Sequence, residues 1–327
     1  MPVPSTAIKR VELGATFAEF DLDMSRKGFI GNQLFRPRMS AIQSGDVPLI
    51  PLEALLQLQS TKRAAGASYK RGQFEYTSYS FATEEYGWEE PLDDRTLRIF
   101  RDLIEAESIA ASRAMDFILR EYEISVSAIA SSTTTWTGAP LTTAAVALWS
   151  NTATGVPVTD IHAAIEKVKN SGGVYPNTVV MNDRQMRNCT DTDQIISRLK
   201  FWGGDDPKNL TASVLSELFQ VRRILVSNFA LKNTANEAVN AVIANIWPDT
   251  DIMIGRYAET EDPMETCVGR TIMFSEESAG PGGDDGIAVI AEEYREERTR
   301  SRILRMRTDY TLVTLYKEAA HRISGIL

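Results

Sequence analysis

Residues that carry chemistry are scarce in this chain. Among 327 residues there are only two cysteines and two histidines. Cys189 and Cys267 lie far apart and form no CxxC pair, which argues against a disulfide framework or a cysteine-rich metal site. They read as small buried hydrophobes in a reducing compartment. Neither His162 nor His321 has metal-ligand spacing, and His162, one residue after Ile161 in a predicted helix, reads as structural and not as a base. The sequence contains no GxSxG, no HExxH, no Walker-type GxxxxGK and no GxGxxG. Nothing therefore points to hydrolytic, metalloprotease or dinucleotide chemistry. No apolar run approaches the ~18 residues that span a bilayer. The start, Met1-Pro2-Val3-Pro4, has neither the charged nor the apolar region of a signal peptide.

The remaining candidates for chemistry are weak. Asp21-Leu22-Asp23 after Phe20 matches a phosphatase nucleophile loop in its two carboxylates only, since Met24-Ser25 follows and no βαβ pattern surrounds it. Gly203-Gly204-Asp205-Asp206 and Gly282-Gly283-Asp284-Asp285 lack the ligand ladder of a calcium loop and read as exposed turns. Asn188-Cys189-Thr190 and Asn209-Leu210-Thr211 match the glycosylation acceptor pattern, which means nothing without a secretion signal. No cofactor and no enzyme site is expected.

What the chain does have is architecture. Hydrophobic residues at 43% and charged residues at 24% are ordinary for a globular protein, and the length allows one elaborate domain or two. After strand formers Phe74, Tyr76, Tyr79 and Phe81 comes the acidic run Glu84–Asp94, then a long amphipathic helix predicted over about 94–130. Asp93 and Asp94 are placed to cap it, and Leu97, Phe100, Ile104, Ala111, Met115, Ile118, Tyr122, Val126 and Ile129 mark its apolar stripe. At 1.5 Å per residue such a helix spans about 50 Å, the length of a strut and more than a catalytic site needs.

Around that helix the order is extended arm, helix, mixed lobe, then a return of strands, an α+β arrangement. The first thirty or so residues read as an arm, and 35–72, punctuated by prolines and glycines, as an extended loop or hairpin lying on something else. A helix capped by Thr159 is expected to stop at Gly172-Gly173. Short helices are predicted near 183–187, 193–200 and 213–219. Strands are predicted near 178–181, 223–226, 239–246, 251–254, 271–274, 287–291 and 303–313.

Charge is distributed unevenly. The net charge is −9, yet residues 1–72 hold ten Lys/Arg against six Asp/Glu, +4, which leaves −13 for the rest. A basic arm on an acidic body suits self-association through complementary fields and disfavours tight DNA binding by the whole protein. Glu292, Glu293, Glu296 and Glu297 precede Arg298, Arg300, Arg302, Arg305 and Arg307, a ladder expected to meet a neighbouring subunit.

Lys62-Arg63-Ala64-Ala65-Gly66-Ala67, the strand to Phe81, Glu84-Glu85-Tyr86-Gly87-Trp88-Glu89-Glu90-Pro91 and the long helix resemble the major capsid proteins of tailed bacteriophages of the Hong Kong 97 type. So do Ile246-Trp247-Pro248 leading to Ile252–Tyr257 and the closing Arg298–Leu327. The resemblance implies an N-terminal arm (1–31), an extended loop (32–72), a peripheral domain (73–172 and 269–327) carrying the spine helix, and a mixed α/β axial domain (173–268). It further implies self-assembly through pentamers and hexamers into an icosahedral virion head around double-stranded DNA, formed in a bacterial host's cytoplasm. The implied partners are a separate scaffolding protein, a portal, decoration proteins and non-specific contact with packaged DNA, with no membrane.

Assembly contacts are expected at Arg36, Arg38, Leu49, Ile50, Leu55, Leu56, Lys62, Arg63, Glu292, Glu293, Arg298, Arg300 and Arg302. Some members of that family cross-link a loop lysine to an asparagine. Lys62 and Lys70 are the lysines in or beside the loop, and nothing in the sequence supports carrying that chemistry over. An encapsulin-like shell enclosing cargo enzymes is the alternative reading of the same features.

Overall fold

The computed structural model describes residues 8–9, 28–51, 54, 56–72, 76–95, 106–201, 212–228, 230–234, 242–262, 265–276 and 286–327. In chain order its elements are β1 (Ile8–Lys9), α1 (Gly31–Leu34), β2 (Pro37–Ser40), β3 (Ser44–Leu49), β4 (Thr77–Ala82), β5 (Glu84–Asp93) and the long helix α2 (Ala106–Ala130). Next come β6 (Thr142–Ala144), α3 (Pro157–Gly172), β7 (Thr178–Asn182), α4 (Asp183–Thr190), α5 (Asp193–Phe201) and α6 (Ala212–Phe219). They are followed by β8 (Arg223–Ser227), β9 (Leu231–Asn233), β10 (Ile243–Asn245), β11 (Asp251–Gly255), β12 (Gly269–Phe274), β13 (Ile290–Glu296), β14 (Ser301–Thr314) and β15 (Ala320–Ser324).

Two sheets organise the chain. The first runs β1-β13-β14-β12-β2, with β5 paired along the edge of β14 opposite β13. Its hub is the 14-residue β14, whose first half pairs with β13 and whose end pairs with β12, while β5 covers Ser301–Tyr310. Helix α2 lies on this sheet. Its 25 residues span about 37 Å at 1.5 Å each. It buries Ala111, Ala114, Met115, Ile118, Leu119, Tyr122, Val126 and Ala130, spaced three and four apart as helical packing requires. Alanines at 110, 111 and 114 let sheet side chains approach the helix closely. Residues 96–105 of the predicted helix lie outside the described residues.

The second sheet is β6-β15-β11-β7-β8. Helix α3 packs on it through Val158, Ile161, Ala164, Ile165 and Val168, which share a core with Val179, Ile252, Ile254 and Ile323. That helix starts two residues before the expected cap. Pro157 occupies its first turn, where a missing N–H costs nothing, and Val156 precedes it without a side-chain cap. Its end is as expected: Gly173 adopts a left-handed φ of 60° and donates its N–H to the carbonyl of Lys169 at 3.0 Å. Helix α4 opens with a capping box in which Asn182 and Gln185 bond each other's backbone.

Two expectations are corrected here, and one strand was not foreseen. Residues 28–35 are core, because Phe29, Ile30, Leu34 and Phe35 are buried against α2. The acidic run Glu84–Asp93 is a ten-residue strand. The last strand, Ala320–Ser324, belongs to the second sheet beside β11 and β6, so the strands at the chain end divide between two sheets.

Candidate assembly surfaces

Strands β3 and β4 form a two-stranded ribbon of their own, with Val47 opposite Tyr79 and Asp46 opposite Ser80. Ser80 closes the second pair by donating its hydroxyl to Asp46 at 2.6 Å. One face of the ribbon is anchored along its length: Val47, Leu49 and Phe81 pack on Ile272 and Val313. An isolated two-stranded ribbon is marginal in water, and this contact with the first sheet supports it. The connecting residues 56–72 are all exposed, Leu58 completely so at 102% and Leu56 at 65%. Tyr69 and Tyr76 are exposed as well, with the Arg63 guanidinium 4.7 Å from the centre of the Tyr69 ring.

Of the expected contact residues, Leu56, Lys62 and Arg63 lie on this exposed loop, and Leu49 and Ile50 sit half-buried at its base. The Ile50 carbonyl accepts the Tyr316 hydroxyl at 3.0 Å. Leu55 lies outside the described residues. Arg36 turns instead toward the chain's own Glu259 and Glu261, and Arg38 is half-buried on β2.

The charged ladder proves to have its partners inside the chain. Arg305 on β14 faces Glu89 on β5 in register, with Nη2 2.6 Å from Oε1, and also lies 3.7 Å from Glu292. Arg307 reaches Glu292 at 2.9 Å, while Arg302 reaches Glu293 at 2.7 Å and pairs with Glu107 of α2. The Tyr294 hydroxyl donates to Glu89 at 3.1 Å. The expectation that Glu292, Glu293 and Arg302 need a neighbouring subunit is thereby corrected: like charges on each strand are satisfied by the opposite charge on the next. Arg298 and Arg300 are exposed in the turn between β13 and β14, and Arg300 has a positive φ of 52°.

Sequence reasoning missed Glu123. This carboxylate is 1% exposed on the buried face of α2. It accepts N–H groups from Ile30 at 3.0 Å and Gly31 at 2.7 Å, and the Trp247 indole N–H at 2.6 Å. Burial pushes its carboxyl above the ordinary range, and the three hydrogen bonds pull against that shift. Glycine is required at 31, since a Cβ there would stand 2.5 Å from the Glu123 carboxylate. Beside it the Tyr122 and Thr271 hydroxyls lie 2.7 Å apart, and both reach the Phe35 carbonyl, at 3.1 and 2.8 Å. The signal was visible: Glu123 interrupts the apolar stripe between Leu119 and Val126, where a charge needs a partner.

Both cysteines are buried and free, and burial pushes their thiols up. His321 is buried between Thr143 and the Pro140 carbonyl, and its desolvation lowers its pKa. Among the described residues no group of three or more His, Cys, Asp or Glu is placed to hold a metal, and no helix is long and apolar enough to cross a membrane.

No family model matches the chain, and no curated protein matches it. Solved structures do. A phage-related protein from Bordetella bronchiseptica RB50 is 19% identical, with a TM-score of 0.71 over 98% of both chains. The capsid structure of cyanophage P-SCSP1u is 8% identical, with a TM-score of 0.56 over 88% of this chain and 85% of that one. A structure from Mycobacterium phage Che8 is 13% identical, with a TM-score of 0.53 over 99% and 93%. The chain thus has a mixed α/β fold that is shared with solved structures of phage capsids.

Proposed function

We propose that this chain is a major capsid protein that self-assembles through pentamers and hexamers into the icosahedral head around the double-stranded DNA of a tailed phage. The observation that carries this reading is the ribbon and loop at 44–82. It projects Leu56, Leu58, Tyr69 and Tyr76 into solvent on a fold that, in solved structures, builds capsids. A chain that leaves such groups exposed buries them on a neighbour, and head-to-tail contacts of that kind close into rings.

In this reading 1–31 is the arm and 32–72 the extended loop, apart from the buried Phe29–Phe35. The peripheral domain is 73–172 with 269–327 and the axial domain is 173–268, apart from Thr142–Ala144, Pro157–Gly172 and Ala320–Ser324, which belong with the axial sheet. Leu49, Ile50, Leu55, Leu56, Lys62 and Arg63 make the loop's contacts, Arg36 and Arg38 lie at its root, and Arg298 and Arg300 present a basic turn. A scaffolding protein, a portal and decoration proteins complete the particle, which forms in the host cytoplasm. The role is structural.

Negative-stain electron microscopy of the purified full chain tests it. Closed shells, or rings of five and six, are the expected result. Nucleic acid inside identifies a phage head, and a foreign enzyme inside identifies a cargo compartment. A chain that remains monomeric at every concentration, with or without a scaffold, overturns the proposal.

A further inference from the structure

Where α1, β8 and the segment after β11 meet, the chain surrounds a cavity of about 570 Å3. Arg36, Arg222 and Arg223 line it with Asn32, Gln33 and Glu259. Three guanidinium groups face two carboxylates, Glu259 in the lining and Glu261 beside Arg36, which leaves an excess of one positive charge on a chain whose net charge is −9.

The cations are held in place. Arg222 pairs with the Glu259 carboxylate, and Arg36 donates to the Glu259 carbonyl and lies 3.9 Å from Glu261. Arg223 donates Nε–H to the Thr178 hydroxyl at 2.9 Å and an Nη2–H to the Gln33 carbonyl at 3.0 Å. Both acceptors are neutral, so Arg223 is oriented without being neutralised. Among the described residues nothing accepts from its Nη1. Burial lowers its pKa, and Arg222 and Arg36 push the same way against the pull of Glu259.

We propose that this cavity binds phosphate, with Arg222 and Arg223 gripping the oxygens, Arg36 holding the backbone carbonyl of Glu259 in place, and the Glu259 carboxylate limiting the site's charge. The excess suits a single phosphate group: one inorganic phosphate, or one phosphodiester of a nucleic-acid strand. The planar guanidinium fork matches phosphate oxygens in pairs. The lining carries no aromatic ring and only Ala258 as an apolar side chain, so recognition stops at the phosphate and takes no base.

Isothermal titration of the full-length protein with inorganic phosphate, at constant ionic strength and pH 7.5, tests this site. Saturable binding is expected. Arg222→Gln should weaken it about tenfold, as losing one charge-assisted bond does. Its side chain is largely exposed, so the fold should tolerate the change. Glu259→Gln should tighten binding several-fold, the opposite sign, which general damage to the fold would not produce. A single-stranded oligonucleotide lacking a terminal phosphate is then added as competitor. Displacement assigns the site to a nucleic-acid backbone, and no displacement assigns it to the free anion. Binding that chloride reproduces at equal ionic strength, or that neither substitution changes, overturns the proposal.

Discussion

Replacing Glu123 by alanine removes the acceptor shared by three buried N–H donors, those of Ile30, Gly31 and the Trp247 indole. Each orphaned donor costs about 1–3 kcal/mol where water cannot reach it. The void left by the side chain lets some of them relax, so we expect a total loss of about 3–5 kcal/mol. Glu123→Gln keeps one oxygen but turns an amide N–H toward the same donors, and about half the loss should remain. At about 2 °C per kcal/mol for a chain of this length, the alanine variant should melt roughly 6–10 °C lower.

The same group gives a pH signature. Its ordinary value is 4.5, and burial raises it in the folded chain. Above 4.5 the unfolded chain releases this proton while the folded chain still holds it. The stability contributed by protonation is therefore complete below 4.5 and is lost as pH rises through the folded value. Equilibrium urea unfolding of the full chain, kept below the concentration at which it associates, reads both effects. A loss below about 1 kcal/mol for Glu123→Ala, or identical pH profiles for wild type and Glu123→Gln, would refute the account of a buried clamp.

Three further outcomes are expected. Leu58→Asp, at a fully exposed position, should change subunit stability by under about 0.5 kcal/mol yet abolish shells in electron micrographs. Gly28→Ala should destabilise strongly, by about 3 kcal/mol or more, because φ is +74° and a Cβ would lie 1.6 Å from the Asn228 carbonyl oxygen; thermal melts measure this. Arg305→Ala should cost only about 0.5–1 kcal/mol in urea unfolding, since both members of its pair with Glu89 are more than a third exposed, and part of that cost should vanish in 1 M salt.

The lobe from Thr178 to Gly255 was legible because its elements are short and punctuated locally. Asp183–Thr190 and Asp193–Phe201 start at acidic residues, and Arg223–Ser227 and Asp251–Gly255 are compact β-branched or apolar runs. The stripe of α2 was likewise read from its own spacing. Glu84–Asp93 was not, since glutamates and Pro91 are poor strand formers. What makes this segment a strand is pairing with arginines more than two hundred residues further on, Glu89 with Arg305 above all. The burial of Phe29–Phe35 was missed for a similar reason: a polar, glycine-broken segment becomes core only because Glu123 and Tyr122 supply bonds to its backbone. Among the proposed contact residues, the loop positions were visible as apolar groups without a local partner, whereas the ladder's true partners lay in a strand not foreseen.

The position of β14 has a consequence for how the chain is made. Asp93 leaves the ribosome well before Thr314, and at roughly 5–20 residues per second the interval is about 10–45 s. Throughout it β5 lacks the strand that completes it, and Glu89 lacks Arg305, while Trp88 and Glu90 have only Phe117 and Arg113 of α2 to meet. The hub of the first sheet is made some two hundred residues after β5, so this sheet closes only once that length has been added. Until then an unpaired β5 is open to pairing with the β5 of a neighbouring nascent chain on the same messenger.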